Sequence, residues 1–163
     1  MSLPASFGIS DLSPKLIERL DSLYKLAFEE GIDFATRRTS GLRGFYRQSQ
    51  FYWAWKANPV LAKQQFGIIS QPAAPGLSLH HGWDEGRSLA VDIALPNRST
   101  DEGIRKQRRL GELAESVDLI WGGRFGKPDP VHFSFPFDIS IINKDLMARI
   151  DELINKGEIS IAF

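Results

Sequence analysis

The sequence predicts a single domain of the α+β class, and three observations point there. Leu16, Ile17, Leu20, Leu23, Leu26 and Ala27 recur at the three-to-four spacing of one buried helical face. Residues 89–95, 117–121 and 132–135 are short apolar runs of strand length, bounded by turn-forming residues. At 163 residues the chain has room for one core and none for a second domain.

In chain order, Ser13 reads as the N-cap of the first helix, with Pro14 at its first position and Gly31 at its end. Residues 33–38 have the length and partial alternation of a strand, and residues 39–43 continue from it. Phe51, Tyr52, Trp53, Ala54 and Trp55 make a helix apolar on all sides, so part of it should be buried and part should line a groove. Pro59 breaks or restarts the helix, and residues 60–66 form one more helical piece. Residues 71–76 are a loop by composition.

The run 89–95 carries Asp92 in its middle, and a carboxylate in an apolar strand needs a strong partner to offset its desolvation. Pro96 and Asn97 close that strand, and Ser99 with Glu102 predicts a capping box for a helix to about residue 115. Residues 117–121 lead as a strand into the Gly122-Gly123 turn, and residues 132–135 form the next strand. Past Pro136, Asn143 or Asp145 can start a helix with Leu146, Ile150, Leu153 and Ile154 on one face, followed by Gly157 and a terminal strand. Residues 136–163 therefore read as an added helix-strand extension. No internal repeat interrupts the chain.

Composition narrows the classes of function. Hydrophobic residues at 42% and charged residues at 25% describe an ordinary folded protein, not a disordered one. With no cysteine, disulfides and thiolate metal sites are impossible, so a metal must be held by imidazole and carboxylate. Twenty basic residues balance twenty acidic ones, which leaves no field to attract nucleic acid. The basic residues of 105–109 fall at helical spacing and read as a solvated face. The first residues have no basic or sustained apolar signal region, and no run is long enough to span a bilayer. The expectation is a monomer made in the cytoplasm without a signal peptide and without membrane insertion.

All three histidines, His80, His81 and His132, lie within residues 76–92 and 121–132. Two imidazoles and a carboxylate suffice for a catalytic zinc ion, since three protein donors leave one tetrahedral position open. His80, Asp92 and His132 are the candidate ligands. Imidazole and carboxylate donors make Zn2+ the first choice of metal.

Ser78-x-His80, then Ala90-Val91-Asp92, Trp121-Gly122-Gly123 and Asp129-x-x-His132 resemble, in this order, the zinc peptidase family of D-alanyl-D-alanine carboxypeptidases and phage L-alanyl-D-glutamate endopeptidases. The segment from Gly41, with Arg43, Gln48, Phe51 and Tyr52, is similar to the family's Gly-Tyr-Arg-Ser segment. The resemblance spans about residues 33–135. It implies a small, mainly antiparallel sheet carrying Asp92 and His132, with helices packed on one side and a zinc-binding groove on the other. Asp129 would be the catalytic acid and base, and Arg43 would bind or polarise the substrate carbonyl or carboxylate. Ser78, Gln48 and Trp121 would contact substrate.

Two departures from the family pattern stand out. His80 and Asp92 are farther apart than the family spacing, residues 82–86 look inserted, and Glu85 stands at the expected distance from Asp92. A ligand set with His81 or Glu85 in place of His80 is therefore an alternative. Ser134 occupies a position that is usually acidic in the family, which bears on the groups that orient His132. The inserted loop, with Trp83, is expected to shape the entrance to the site.

The implied substrate is the peptidoglycan stem peptide, cut between L-alanine and D-glutamate by a phage-lysin type of endopeptidase acting on the cell wall after release. The alternative within the enzyme class is a D-alanyl-D-alanine carboxypeptidase or dipeptidase. For that activity Arg37, Arg38 or Arg87 would supply a second cation for the free carboxylate. From another class comes a catalytically inactive wall-binding or phage structural module.

Overall fold

Ser13 begins the first helix in the manner its type favours: its hydroxyl oxygen accepts from the Lys15 amide at 3.2 Å, and Pro14 takes the first helical position. The computed structural model describes residues 2–68, 71–73 and 78–137. They group into two compact units, one formed by the chain up to Leu42 together with Gly82–Phe137, the other by Arg43–His81. The helix-strand extension expected past Pro136 lies almost wholly outside the described residues.

In the first unit, α1 (Pro14–Glu29) buries Leu16, Leu20, Leu23, Tyr24 and Ala27. Gly31, at φ 73°, lets the chain leave the helix, with the Gly31 and Ile32 amides donating back to Phe28 and Ala27. Residues 33–37 are a turn rather than the expected strand. The Asp33 carboxylate captures the Ala35 amide at 2.9 Å, and the Arg37 amide donates to the Phe34 carbonyl. The strand β1 starts only at Arg38 (Arg38–Ser40).

Strand β2 (Ala90–Ile93) lies within the predicted run. Helix α4 (Asp101–Ser116), the fourth in chain order, is capped by Thr100 and not by the Ser99–Glu102 box. The Thr100 hydroxyl and amide both donate to the Asn97 carbonyl, which leaves Thr100 as the last extended residue, and its oxygen then accepts from Gly103. Glu102 instead pairs with Lys106 at 2.8 Å. The same helix also shortens the next strand. Asp118 adopts φ 59°, and the Asp118 and Leu119 amides close on Glu115 and Ala114, so only Ile120–Trp121 is left to form β3. A 3-10 turn, Gly122–Arg124, follows, and β4 is His132–Ser134.

The four strands form one antiparallel sheet in the order β1-β2-β4-β3. Val91 faces Phe133 across the central pair, and Trp121 faces Phe133 across the next. Val91, Ile93, Phe133 and Trp121 join Leu16, Leu20, Leu23, Leu110 and Ala114 in the core. Each large apolar side chain removed from water there contributes about 1.5 to 3 kcal/mol. Asp92 pairs with His132 and Ala90 with Ser134. Since strand side chains alternate, Asp92 and His132 share the face turned away from the α1–α4 core. The class is α+β, with a small antiparallel sheet, as the sequence predicts.

In the second unit, α2 (Phe45–Ala57) and α3 (Pro59–Phe66) follow one another through Asn58. The Asn58 side-chain oxygen accepts from the Val60 and Leu61 amides at 3.1 Å each. Pro59 restarts the helix as expected. Ala54 is buried, whereas Phe51, Tyr52, Trp53 and Trp55 are only half-buried. Among the described residues no helix is long and apolar enough to cross a membrane.

Candidate metal centre

Asp92 and His132 reach their positions through the register of β2 and β4. His132 Nδ1 lies 3.4 Å from Asp92 Oδ1, and both side chains are largely shielded, at 12% and 14% exposure. His80, from the other unit, is buried. Asp92 and His132 thus bring two ligand-type side chains together on one face of the sheet of the first unit. His81, in the second unit, and Glu85, in the first, are the alternatives to His80 considered from sequence. Glu85 is exposed, at φ 52° in the tight turn of residues 82–86.

The surroundings of His80 are built from its own segment. The Ser78 hydroxyl accepts the His80 amide at 3.3 Å, the Ser78 carbonyl accepts the His81 amide, and the His80 carbonyl accepts the Arg43 amide at 2.8 Å. Ser78, placed at the substrate by the resemblance, is buried and bonded to the backbone of the His80 segment. His81 Nδ1 is 2.9 Å from the Arg43 carbonyl, and because a carbonyl only accepts, that nitrogen carries the proton. Burial pushes the His81 pKa below its ordinary value, against the opposing pull of this bond.

Arg43 is oriented within its own unit. Its Nη1 donates to Gln48 Oε1 at 2.8 Å, and its guanidinium lies 5.3 Å from the centre of the Phe51 ring. Gln48 is 1% exposed and donates in turn to the Ala73 carbonyl at 2.5 Å. The Arg43–Gln48 spacing thus brings the two side chains together as a pair. Of the other arginines considered, Arg38 is occupied by the Asp11 carboxylate.

Asp129 stands in the turn before β4. Its amide donates to the Gly122 carbonyl at 2.8 Å, and its carbonyl accepts from the His132 amide at 3.1 Å. The Trp-Gly-Gly motif has a steric basis. A methyl at Gly122 would fall inside contact distance of the Asp129 carbonyl oxygen and 2.9 Å from His132 Cβ, and one at Gly123 would strike the Trp121 ring. Trp121 is a core residue, and its Nε1 donates to the Pro130 carbonyl at 2.8 Å. Ser134 is fully buried, with no hydrogen-bond partner for its hydroxyl among the described residues.

The inserted turn of residues 82–86 is fastened to the start of α1. The Asp84 carboxylate accepts from Ser13 Oγ at 2.5 Å and Lys15 Nζ at 3.0 Å. Those two bonds hold its carboxyl below the usual carboxylate range. One residue absent from the sequence-based site is Gln107, 3% exposed and bonded to Ile93, Leu95 and Pro130. Its signal was available, since 103, 107, 110 and 114 share one helical face on which Gln107 is the only polar side chain.

No family model matches the chain, and no curated protein matches it. Among solved structures it is similar to DacB from Streptococcus pneumoniae D39, with 18% identity and a TM-score of 0.51 over 91% of this chain and 73% of that one. The same figures hold for the LdcB LD-carboxypeptidase, whose structure concerns peptidoglycan recognition. At this identity the likeness is one of fold, and this chain shares the α+β fold of both proteins.

Proposed function

We propose that the protein is a metal-dependent peptidase acting on peptidoglycan stem peptides, with His80, Asp92 and His132 as its metal ligands. The observation that carries the reading is the spacing of Asp92 and His132. Zinc bonds of about 2.0 to 2.2 Å at tetrahedral angles separate neighbouring ligand atoms by roughly 3.4 Å. The Nδ1–Oδ1 distance of 3.4 Å equals that edge. Two imidazoles with one carboxylate are also a donor set that suits zinc and leaves one position for chemistry. The fold shared with LdcB, an LD-carboxypeptidase, supports the choice of substrate class.

When bound, such an ion supplies Lewis acidity, polarising a carbonyl and making hydroxide available near neutral pH. The chain's own residues do the rest. Asp129 takes the proton of the attacking water on its carboxylate and returns it to the leaving amine. Its backbone, flanked by Pro128 and Pro130 and pinned to Gly122, restricts where that carboxylate can go. Arg43, aimed by Gln48, binds the carbonyl or carboxylate of the peptide with its planar fork of donors.

The finer assignment is cleavage between L-alanine and D-glutamate, which rests on the sequence motifs. A carboxypeptidase reading is favoured by the likeness to LdcB. Mass spectrometry of defined muropeptides, incubated with the protein before and after chelation and again after zinc is restored, separates them. Metal-dependent splitting after L-alanine gives the endopeptidase, and loss of only a terminal D-alanine gives the carboxypeptidase. Intact muropeptides in the presence of bound zinc would refute both.

A further inference from the structure

Pro130 lies between Asp129 and His132, and its carbonyl is gripped by two buried donors from two different elements. Gln107 Nε2, from α4, donates to it at 2.9 Å, and Trp121 Nε1, from β3, at 2.8 Å. Both lone pairs of that oxygen are therefore used. The Gln107 amide nitrogen also donates to the Ile93 carbonyl at 3.1 Å, and its oxygen accepts from the Leu95 amide at 3.0 Å. A single carboxamide thus fastens α4 both to the end of β2, one residue past Asp92, and to the turn that leads into His132. Across that turn the Ile93 amide donates to the Val131 carbonyl at 2.8 Å.

Packing alone does not call for an amide at this place. The buried residues on the same face of α4 are Gly103, Leu110, Gly111 and Ala114, and a side chain of methionine's length and shape would fill the space. An amide buried to 3% exposure is unfavourable unless its donors and acceptor are satisfied, and here all three bonds go to backbone that carries site residues.

We infer that Gln107 is a positioning residue of the metal centre: by holding the Pro130 carbonyl together with Trp121, and the backbone on either side of Ala94, it sets where Asp129 and His132 stand relative to Asp92. This rests on the metal-dependent reading above. Residues of this kind, which touch no metal, alter metal affinity or activity by about 10- to 100-fold when lost.

The test is Gln107→Met in the whole chain, read in three ways. Hydrogen exchange on the metal-free protein should show the Asp129 and His132 amides losing at least about tenfold of their protection, with the Leu20 and Leu23 amides of α1 within about twofold of wild type. Zinc affinity, by competition with a chromogenic chelator, should fall about 10- to 100-fold. On a cleaved muropeptide, kcat should fall with KM held.

Unchanged protection at Asp129 and His132 would overturn the inference, as would an equal loss at α1 that marks a merely structural role. If Gln107→Met does not fold, Trp121→Phe removes one of the two donors to Pro130 and is judged by the same local signature. A wild-type protein that binds zinc but leaves muropeptides intact would end the peptidase reading while exchange and affinity still decide this one. A wild-type protein that binds no zinc would end both.

Discussion

Gly122→Ala is the substitution whose effect follows most directly from the geometry. Gly122 has no positive φ to demand glycine, so the reason for glycine is space. The added methyl would overlap the Asp129 carbonyl oxygen, stand 2.9 Å from His132 Cβ and 3.1 Å from Phe125 Cε2. Side-chain rotation cannot relieve the first contact, because the oxygen belongs to the backbone and the Asp129 amide is bonded to Gly122 itself at 2.8 Å. The turn before β4 must move outward by roughly 1 Å to restore ordinary contact.

Overpacking of this kind costs about 1 to 3 kcal/mol. That should lower Tm by roughly 3 to 10 °C and leave the protein folded. The same displacement carries the candidate base and ligand with it, and a shift of about 1 Å at a reacting centre costs roughly 100-fold in rate. Thermal unfolding, zinc competition and muropeptide turnover should therefore show a modest loss of stability beside a large loss of activity. Gly126→Ala is the matched control in the same loop, since nothing lies within 4 Å of its added carbon and its φ is not positive. Wild-type turnover and zinc affinity in Gly122→Ala would refute the claim that this glycine spaces the site.

Asp129→Asn should lower kcat by about 10²- to 10⁴-fold with zinc affinity within a few-fold of wild type, measured on the same muropeptide. Chelation should lower Tm in wild type and not in His132→Ala, and at zinc about a thousandfold above its Kd the lost stabilisation is about 4 kcal/mol. Gly111→Ala sets a helix-propensity gain of about 1 kcal/mol against a clash with the Trp121 ring, and the clash should win, so differential scanning calorimetry should show a lower Tm. Asp84, whose folded pKa lies below its ordinary value through Ser13 and Lys15, adds stability above about pH 4 that disappears as pH falls through the folded value. Tm against pH should therefore separate wild type from Asp84→Asn near neutrality, and the two curves should converge in acid.

What could be read from the sequence, and what could not, turns on whether the local signal and the tertiary outcome had the same cause. The two helices against the sheet end by the same hydrogen-bond closure, yet only one end was legible. Gly31 announces its left-handed conformation by being glycine, whereas Asp118 adopts φ 59° without any distinctive residue, so residues 117–119 looked like strand. Asp33 and Thr100 show the same problem at smaller scale. A polar side chain that captures a nearby amide shifts a boundary by a residue or more, and apolar periodicity does not record that competition. His80, Asp92 and His132 could be singled out as candidate donors from the sequence because donor type is a property of the residue. Gln107 could be read as the polar residue of an otherwise apolar helix face, but not its role, which depends on which backbone groups the fold brings within hydrogen-bond distance.

The register that puts Asp92 opposite His132 is imposed by the core, which leaves the turn leading into His132 to be fixed separately. Val91, Ile93 and Phe133 must all face α1 and α4 to be buried, and with a side-chain period of two this fixes Asp92 and His132 on the opposite face. The Val91–Phe133 pairing then dictates the Asp92–His132 pairing one step along. A slip of one residue would move Val91 and Ile93, or Phe133, out of the core and carry a charged or imidazole side chain into it, so the register that holds the two donors is defended by the energy of the whole core. That is also why no large polar network is required beneath them: Gln107, Trp121 and Gly122 have only to fix the turn of residues 128–131, the one part of the Asp92–His132 arrangement that strand pairing leaves undetermined.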